Sequence, residues 1–303
     1  MKTRLQATRK ITWPVLRDQR RTGLLFVLVP MLVFLAFSVY PMLYAGYLSL
    51  TEFSFTKAPT FIGLGNFERL LDDQVFRTAL TNTLVYTLGV VPTGMVLSFL
   101  LALLLNQKIR GMTLFRIAFY MPVVTSTVAS GMVWLWMYAP DSGIVNQALA
   151  SVGIAPQRWL IDPNLALPSV MVMAVWKNLG YTMVIYLAAL QGIPVHLYES
   201  ADLDGANAWD RVRYITVPLI KSATFFIFVT SIISSFQVFG SIYVMTQGGP
   251  GYATTTVVHQ VYLNAFRYLR MGYASAEALI LFVVIFALSL INWRFLRSDV
   301  EYW

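Results

Sequence analysis

Residues 198–221 read Y-E-S-A-D-L-D-G-A-N-A-W-D-R-V-R-Y-I-T-V-P-L-I-K, the one sizeable polar island in the second half of an otherwise apolar chain. Four of the fourteen acidic residues (Glu199, Asp202, Asp204, Asp210) fall within it, beside Arg211, Arg213 and Lys221. The order of residue types predicts a short helix, a turn and a second helix. Leu197, Tyr198 and Ala201 share one face at helical spacing. Gly205 suits the left-handed backbone that ends such a helix. Asn207, with Asp210 three residues on, supplies a variant capping box for the next. A small helix pair with an apolar face is suited to plugging a groove in a partner protein.

The island stands out because of its surroundings. The chain has 303 residues, 57% hydrophobic and only 12% charged, with mean hydropathy +0.64. Soluble domains carry roughly 25% charged residues, so this composition specifies a polytopic membrane protein. A helix crossing a bilayer needs about 20 mainly apolar residues. Six runs qualify, near 22–51, 78–107, 112–139, 167–192, 217–245 and 274–293. The first is too long for a signal-peptide core and reads as an uncleaved span, bent at Pro30 and Pro41. The connections 52–77 and 140–166 are polar, and Trp159 and Leu160 in the second read as interface anchors. After the fifth run, Gln247-Gly248-Gly249-Pro250-Gly251 forms a break, followed by a polar segment to Met271.

Six spans place both termini on one side. Fifteen of the 22 basic residues then share a side with the island, against six on the other. By the positive-inside rule both termini and the island face the cytoplasm. The expected division is a basic arm over 1–21, a six-span region over 22–298 with the island loop at about 195–216, and a cytoplasmic tail over 299–303. The +8 formal charge is therefore membrane topology and gives no sign of nucleic-acid binding.

Several chemistries are excluded. With no cysteine there is no disulfide, thiolate catalyst or cysteine metal site. No lysine follows a glycine, so the phosphate-binding G-K-[ST] loop is missing. His196 and His259 are far apart and lack acidic helix partners, which argues against zinc. No G-x-S-x-G elbow occurs. The sequence offers no catalytic residue, no metal site and no cofactor site, and the chain reads as a non-enzyme.

Glu199-Ser200-Ala201, Asp204-Gly205-Ala206, Ile215 and Pro218 closely resemble the E-A-A-x-x-D-G-A…I-x-x-P loop of bacterial ABC importer permeases. Ser200 replaces the middle alanine, and Val212 stands where phenylalanine is usual. Thr246-Gln247-Gly248-Gly249-Pro250, then Tyr262, Ala265-Phe266 and Gly272-Tyr273-Ala274-Ser275-Ala276, are similar to the carbohydrate-uptake branch, which includes maltose, multiple-sugar and glycerol-3-phosphate permease subunits. The resemblance implies an all-α membrane protein of the type I importer fold in the bacterial cytoplasmic membrane, with a coupling helix between spans four and five. It further implies a second homologous permease, two ATPase subunits that bind ATP and magnesium, and an extracytoplasmic solute-binding protein. Glu199, Ser200, Ala201, Asp204, Gly205 and Ala206 would then contact the ATPase.

A sugar path needs hydroxyl partners and aromatic faces. Two segments within spans supply them, at 176–181 and 231–237. By resemblance to the maltose permease subunit, Trp176, Asn178, Gly180, Ser231 and Ser235 fall at or near sugar-contacting positions, with Gln237 adjoining. That subunit's fifth-span asparagines are not reproduced, Ser235 and Val238 standing there, and helix packing by small and hydroxyl side chains is the competing role. Lys177 lies inside a span, where a charge costs about 2.5 kcal/mol or more. It reads as a snorkelling lysine or a partner of Glu277, in preference to a contact for an anionic solute. The alternatives are glycerol-3-phosphate or another polyol as solute, or a self-sufficient secondary transporter or channel. The last would show intramembrane acid–base relays or repeated halves, and neither is evident.

Overall fold

The computed structural model describes residues 13–54, 57–107 and 110–296. The readings for residues 1–12, for Lys108 and for the tail 299–303 lie outside these. The chain enters through α1 (Trp13–Phe34), a π-helical turn at Leu35–Val39 and α2 (Tyr40–Ser49). The turn falls between Pro30 and Pro41, the two residues expected to bend this span. A hairpin of β1 (Thr51–Ser54) and β2 (Lys57–Phe61) follows, antiparallel with Thr51 opposite Phe61, and then α3 (Gly65–Asp72). Buried Asn66 pins the hairpin, its Nδ2 donating to Ser49 O at 2.9 Å and Thr51 O at 2.8 Å. The all-α expectation therefore needs one amendment, a small sheet in what had read as a polar connection.

Two long helices form the spine, and each starts where the sequence supplies a cap. Asp73 Oδ1 accepts from Val75 N (2.7 Å) and Phe76 N (3.2 Å) to open α4 (Gln74–Leu105). Asp162 Oδ1 accepts from Asn164 N at 2.8 Å to open α8 (Pro163–Gln191), with proline in the first turn. Such caps are worth about 1 kcal/mol each. The buried stripe of α4 runs Phe76, Ala79, Thr83, Val90, Ser98, Ala102 and Leu105, at helical spacing. Its small members let α8 approach closely, as interfaces within membranes require. Ser98 Oγ donates to Leu179 O at 3.0 Å across the contact.

Between these helices lie α5 (Met112–Val124), α6 (Thr127–Met137) and α7 (Ile144–Ser151). After α8 come α9 (Val195–Leu203), α10 (Ala208–Asp210), a π-helical turn at Arg211–Thr216 and α11 (Val217–Leu219). Then follow α12 (Lys221–Phe236), α13 (Gly240–Met245), α14 (Val257–Tyr262), a third π-helical turn at Leu263–Arg267 and α15 (Met271–Leu296). Four helices among the described residues are long and apolar enough to cross a bilayer: Thr22–Ser49, Gln74–Leu105, Pro163–Gln191 and Met271–Ile291. Two bent pairs bring the total to as many as six, one bent by 100° (Met112–Val124 with Thr127–Met137), the other by 67° (Ala208–Leu219 with Lys221–Phe236).

The structure corrects the sequence expectations at several points. The third run is no continuous helix. Pro122 offers no N–H to the carbonyl one turn before it, and Thr125 and Ser126 take extended backbone with ψ of 147° and 139°. The fifth run breaks after Phe236, where Thr256 Oγ1 donates to Val238 O at 3.1 Å and satisfies the departing chain. The segment after the Gly-Pro turn, read as polar, is largely buried from Thr254 to Gln260. Its Thr254, Thr255 and Thr256 are fully enclosed because each hydroxyl is paired, Thr255 with His259 Nδ1 at 2.9 Å and Thr254 with Thr246 at 2.7 Å. Burial pushes the His259 imidazole below its ordinary pKa. Trp159 is half-buried, its Nε1 donating to Asn146 Oδ1 at 2.9 Å and its ring 5.6 Å from that of Tyr138. Glu277, finally, is not the partner of Lys177. It is buried against Asn264, whose Nδ2 lies 3.0 and 3.1 Å from the two carboxylate oxygens.

Candidate functional site: an exposed loop and an intramembrane cavity

The island folds as its residues dictate. α9 ends at Gly205, whose φ of +79° is one that residues with a Cβ adopt at a cost. Ala206 N closes the turn on Ala201 O at 2.9 Å. Asn207 Oδ1 accepts from Trp209 N (2.8 Å) and Asp210 N (3.0 Å), while Asp210 Oδ2 accepts from Asn207 N (3.2 Å), completing the capping box. Arg211 and Asp202 join the two arms at 2.6 Å, and the Tyr198 and Thr216 hydroxyls meet at 3.0 Å. Leu197, Tyr198 and Ile215 pack on a cluster of α4 and α8 residues that includes Ala102, Met183 and Leu190. The loop is thus mounted rigidly on the spine.

Its outer face is unfinished. Glu199, Ser200, Asp204 and Gly205 are exposed, and Ala201 and Ala206 are half-buried. Leu203 is 90% exposed, and Val195, Trp209 and Tyr214 are each about two-thirds exposed. These four apolar side chains were absent from the residues singled out in the sequence. Their signal was present, as large apolar residues scattered through a polar island.

The second feature is a cavity of about 390 Å³ between α4, α8 and α12. Asn178, Ser231 and Ser235 all line it, so three of the six expected path residues converge. Ser98, Tyr181, Thr182, Thr230 and Ser234 line it as well, together with Val123 of α5. Ser231, Ser234 and Ser235 stand three and four residues apart on one face of α12. Hydroxyls on these helices ordinarily bond back along the helix, as Thr230 does to Phe226 O (2.8 Å) and Ser289 to Ile285 O (2.8 Å). The three serines make no such bond, and among the described residues their hydroxyls have no hydrogen-bond partner. Asn178 spends its Nδ2 on Ala174 O at 3.0 Å, leaving its Oδ1 unused.

The other three expected path residues sit elsewhere. Trp176 lines an adjoining apolar groove with Gly89, Thr93 and Pro168, its ring 5.7 Å from that of Trp134. Gly180 is a helix crossing point, because a Cβ there would run into Phe119 O and the Tyr120 backbone. Gln237 is exposed at the end of α12, outside the cavity lining. Ser98 and Thr182 escaped the sequence reading because a lone hydroxyl in an apolar helix looks the same whether it packs or faces a path. A larger cavity, about 890 Å³, lies between the hairpin, α3 and the start of α15. Several of its polar groups are engaged internally, Arg69 near Glu52 at 3.6 Å and Tyr273 donating to Asp73 at 2.6 Å. The smaller cavity, with its unpaired hydroxyls, is the better candidate for a path.

Comparison with known proteins gives a consistent picture. The family model described as "Binding-protein-dependent transport system inner membrane component" matches residues 94–297. The chain is 36% identical over 279 residues to the probable ABC transporter permease protein YurN of Bacillus subtilis, covering 90% of this chain and 96% of the relative. It is 34% identical over 257 residues to the sn-glycerol-3-phosphate transport system permease protein UgpA of Agrobacterium fabrum, covering 84% and 87%. Among solved structures, it is similar to a chain of a bacterial ABC transporter involved in import of the acidic polysaccharide alginate. There the TM-score is 0.82 at 26% identity, over 95% of this chain and 100% of that one. A second structure of an alginate ABC transporter, also at TM-score 0.82 and 26% identity over 93% and 96%, is in complex with an alginate pentasaccharide-bound periplasmic protein.

Proposed function

Because the chain belongs to the family of binding-protein-dependent transport system inner membrane components, we propose that it is the permease subunit of an ATP-driven importer for a sugar or oligosaccharide. In this reading it crosses the cytoplasmic membrane six times, each bent helix pair counting as one span, with both termini in the cytoplasm. It pairs with a second, homologous permease to enclose the path and receives solute from an extracytoplasmic binding protein. Two ATPase subunits, which hold ATP and magnesium, engage the loop at 195–216. Glu199, Ser200, Ala201, Asp204, Gly205 and Ala206 contribute the polar contacts there, and Leu203, Trp209 and Tyr214 the apolar ones. Closure of the ATPases moves the loop as a unit, because its capping box, ion pair and packing on the spine leave it no independent freedom.

The observation that carries the solute class is the row of unpaired serine hydroxyls facing Asn178 across an uncharged cavity. A hydroxylated, neutral solute supplies both donors and acceptors to such a wall, and an apolar solute leaves it unsatisfied. The likeness to the UgpA protein favours glycerol-3-phosphate as a second reading. Against it, the cavity lining contains no arginine or lysine to receive a phosphate. Family membership leaves no support for a self-sufficient transporter. Co-purification of the complex, followed by a calorimetric screen of its external binding protein, tests the proposal. Binding of a neutral saccharide is expected. A binding protein that takes only phosphate esters or amino acids would refute the solute class, and purification without any ATPase would refute the importer.

A further inference from the structure

Lys177 is half-buried and pairs with no acid among the described residues. Its Nζ donates to Thr125 O at 2.6 Å and to Pro122 O at 3.1 Å, two carbonyls at the end of α5 where the chain bends by 100° into α6. The ion pairs among the described residues are Arg69–Glu52, Arg77–Asp72 and Arg211–Asp202, and Lys177 joins none of them. Its charge is met by carbonyls at a helix C-terminus, the end whose dipole favours a cation, and Pro122 O also accepts from Thr125 Oγ1 at 2.6 Å. Three residues further along the same face of α8, Gly180 lets the backbone of Phe119 and Tyr120 approach closely. α5 is therefore held on α8 at two adjacent points, one steric and one electrostatic. Val123, between the two captured carbonyls, lines the cavity with Asn178 and Ser231.

We propose that Lys177 is a positioning residue that sets the angle of the α5–α6 elbow and thereby places the Val123 wall of the cavity. The inference rests on the proposed function only in treating that cavity as the solute path. Three features carry it. The lysine bridges one carbonyl in the last turn of α5 and one at the junction itself. Pro122 and extended Thr125 and Ser126 interrupt the backbone ladder, so the elbow is tied only by side chains, the lysine and the Thr125 hydroxyl, which lies 2.6 Å from Pro122 O and 2.9 Å from Ser130 Oγ. And Lys177 is next in sequence to Asn178, so one turn of α8 holds the elbow and lines the cavity.

This chain has no cysteine, so once any cysteines of the partner subunits are replaced by serine the labels sit only where they are placed. Phe115 in α5 and Trp136 in α6 are both exposed; replaced by cysteine and spin-labelled, they report the elbow by pulsed-EPR distance in the assembled importer, without solute. At 1.5 Å rise per residue, relaxing the elbow by about 20° lengthens this separation by about 3 Å. Lys177→Met should move the distance to longer values and broaden it, and Lys177→Arg should return it to the parent distribution. A Lys177→Met distribution that superimposes on the parent overturns the proposal. If Lys177→Met does not assemble, Lys177→Gln, shorter and uncharged, takes its place with the same criterion. Because no solute is used, a wrong solute class leaves this result unaffected, and a failed elbow test leaves the importer standing.

Discussion

The loop at 195–216 and the wall of the intramembrane cavity are both built on α8, yet they keep their information in different ways. The loop is one contiguous stretch. Its turn residue, capping pair and exposed apolar side chains follow one another, and each does locally what its chemistry dictates. The cavity wall is assembled from α4, α5, α8 and α12, each contributing one to several residues from segments 90–98, 123, 175–182 and 230–235. A surface made for a protein partner can be continuous in sequence. A path through a membrane must be enclosed by several helices, so its residues are dispersed among others that only pack.

The largest effect that sharpens this contrast is expected at Gly180. Any Cβ there meets backbone atoms of Phe119 and Tyr120, which cannot swing aside as a flexible side chain would. Gly180→Val should lose about 1–3 kcal/mol of stability by overpacking, seen as reduced recovery and lower thermal stability of the purified complex. If Gly180→Val assembled normally and lost only solute affinity, Gly180 would belong to the path after all. Gly205→Val provides the counterpart. Nothing lies within 4 Å of a Cβ at Gly205, so the cost is confined to the backbone, about 1–2 kcal/mol for left-handed geometry. Assembly of the permease pair should survive while solute-stimulated ATP hydrolysis falls by at least about tenfold, the equivalent of 1.4 kcal/mol. A mutant that hydrolyses normally would remove the loop from the coupling account.

Smaller effects are expected in the cavity. Asn178→Leu and Ser235→Ala each delete one polar contact, worth roughly 0.5–1.5 kcal/mol. Uptake should fall about two- to tenfold, through KM more than through turnover. Unchanged uptake in both would assign these residues to packing. The smallest effect belongs to Arg211→Ala. Its ion pair with Asp202 is a third to a half exposed and is worth no more than about 1 kcal/mol. Coupling should weaken slightly, and less in 0.5 M salt, where screening has already removed the pair (the Debye length is then about 4 Å).

The same contrast explains what could be read from the sequence. Composition, spacing of the apolar runs and the Glu199–Ala206 stretch were sufficient for a helical importer permease, and Gly205 and the Asn207–Asp210 cap stand as their residue types indicate. The breaks at Thr125 and Phe236 were not legible. Apolar periodicity is blind to a local loss of backbone hydrogen bonds, and what stabilises each break comes from a distant side chain, Lys177 in one case and Thr256 in the other. For the same reason Thr254 to Thr256 read only as part of a polar segment, although partners 4 to 18 residues away bury them. Asn178, Ser231 and Ser235 could be singled out because they combine polarity with depth in a span, and the structure brings them to one cavity. Trp176, Gly180 and Gln237 come from the same two segments, and only three-dimensional placement separates them.

The most direct test sets the two regions side by side in one reconstituted importer, with partner permease, ATPases and solute-loaded binding protein present. ATP hydrolysis and solute uptake are measured together for Gly205→Val and Ser235→Phe. The account predicts that Ser235→Phe keeps solute-stimulated hydrolysis and loses uptake, because the path is blocked and the loop intact. It predicts that Gly205→Val loses both, because the signal no longer reaches the ATPase. Full stimulated hydrolysis in Gly205→Val, or unimpaired uptake in Ser235→Phe, would contradict it.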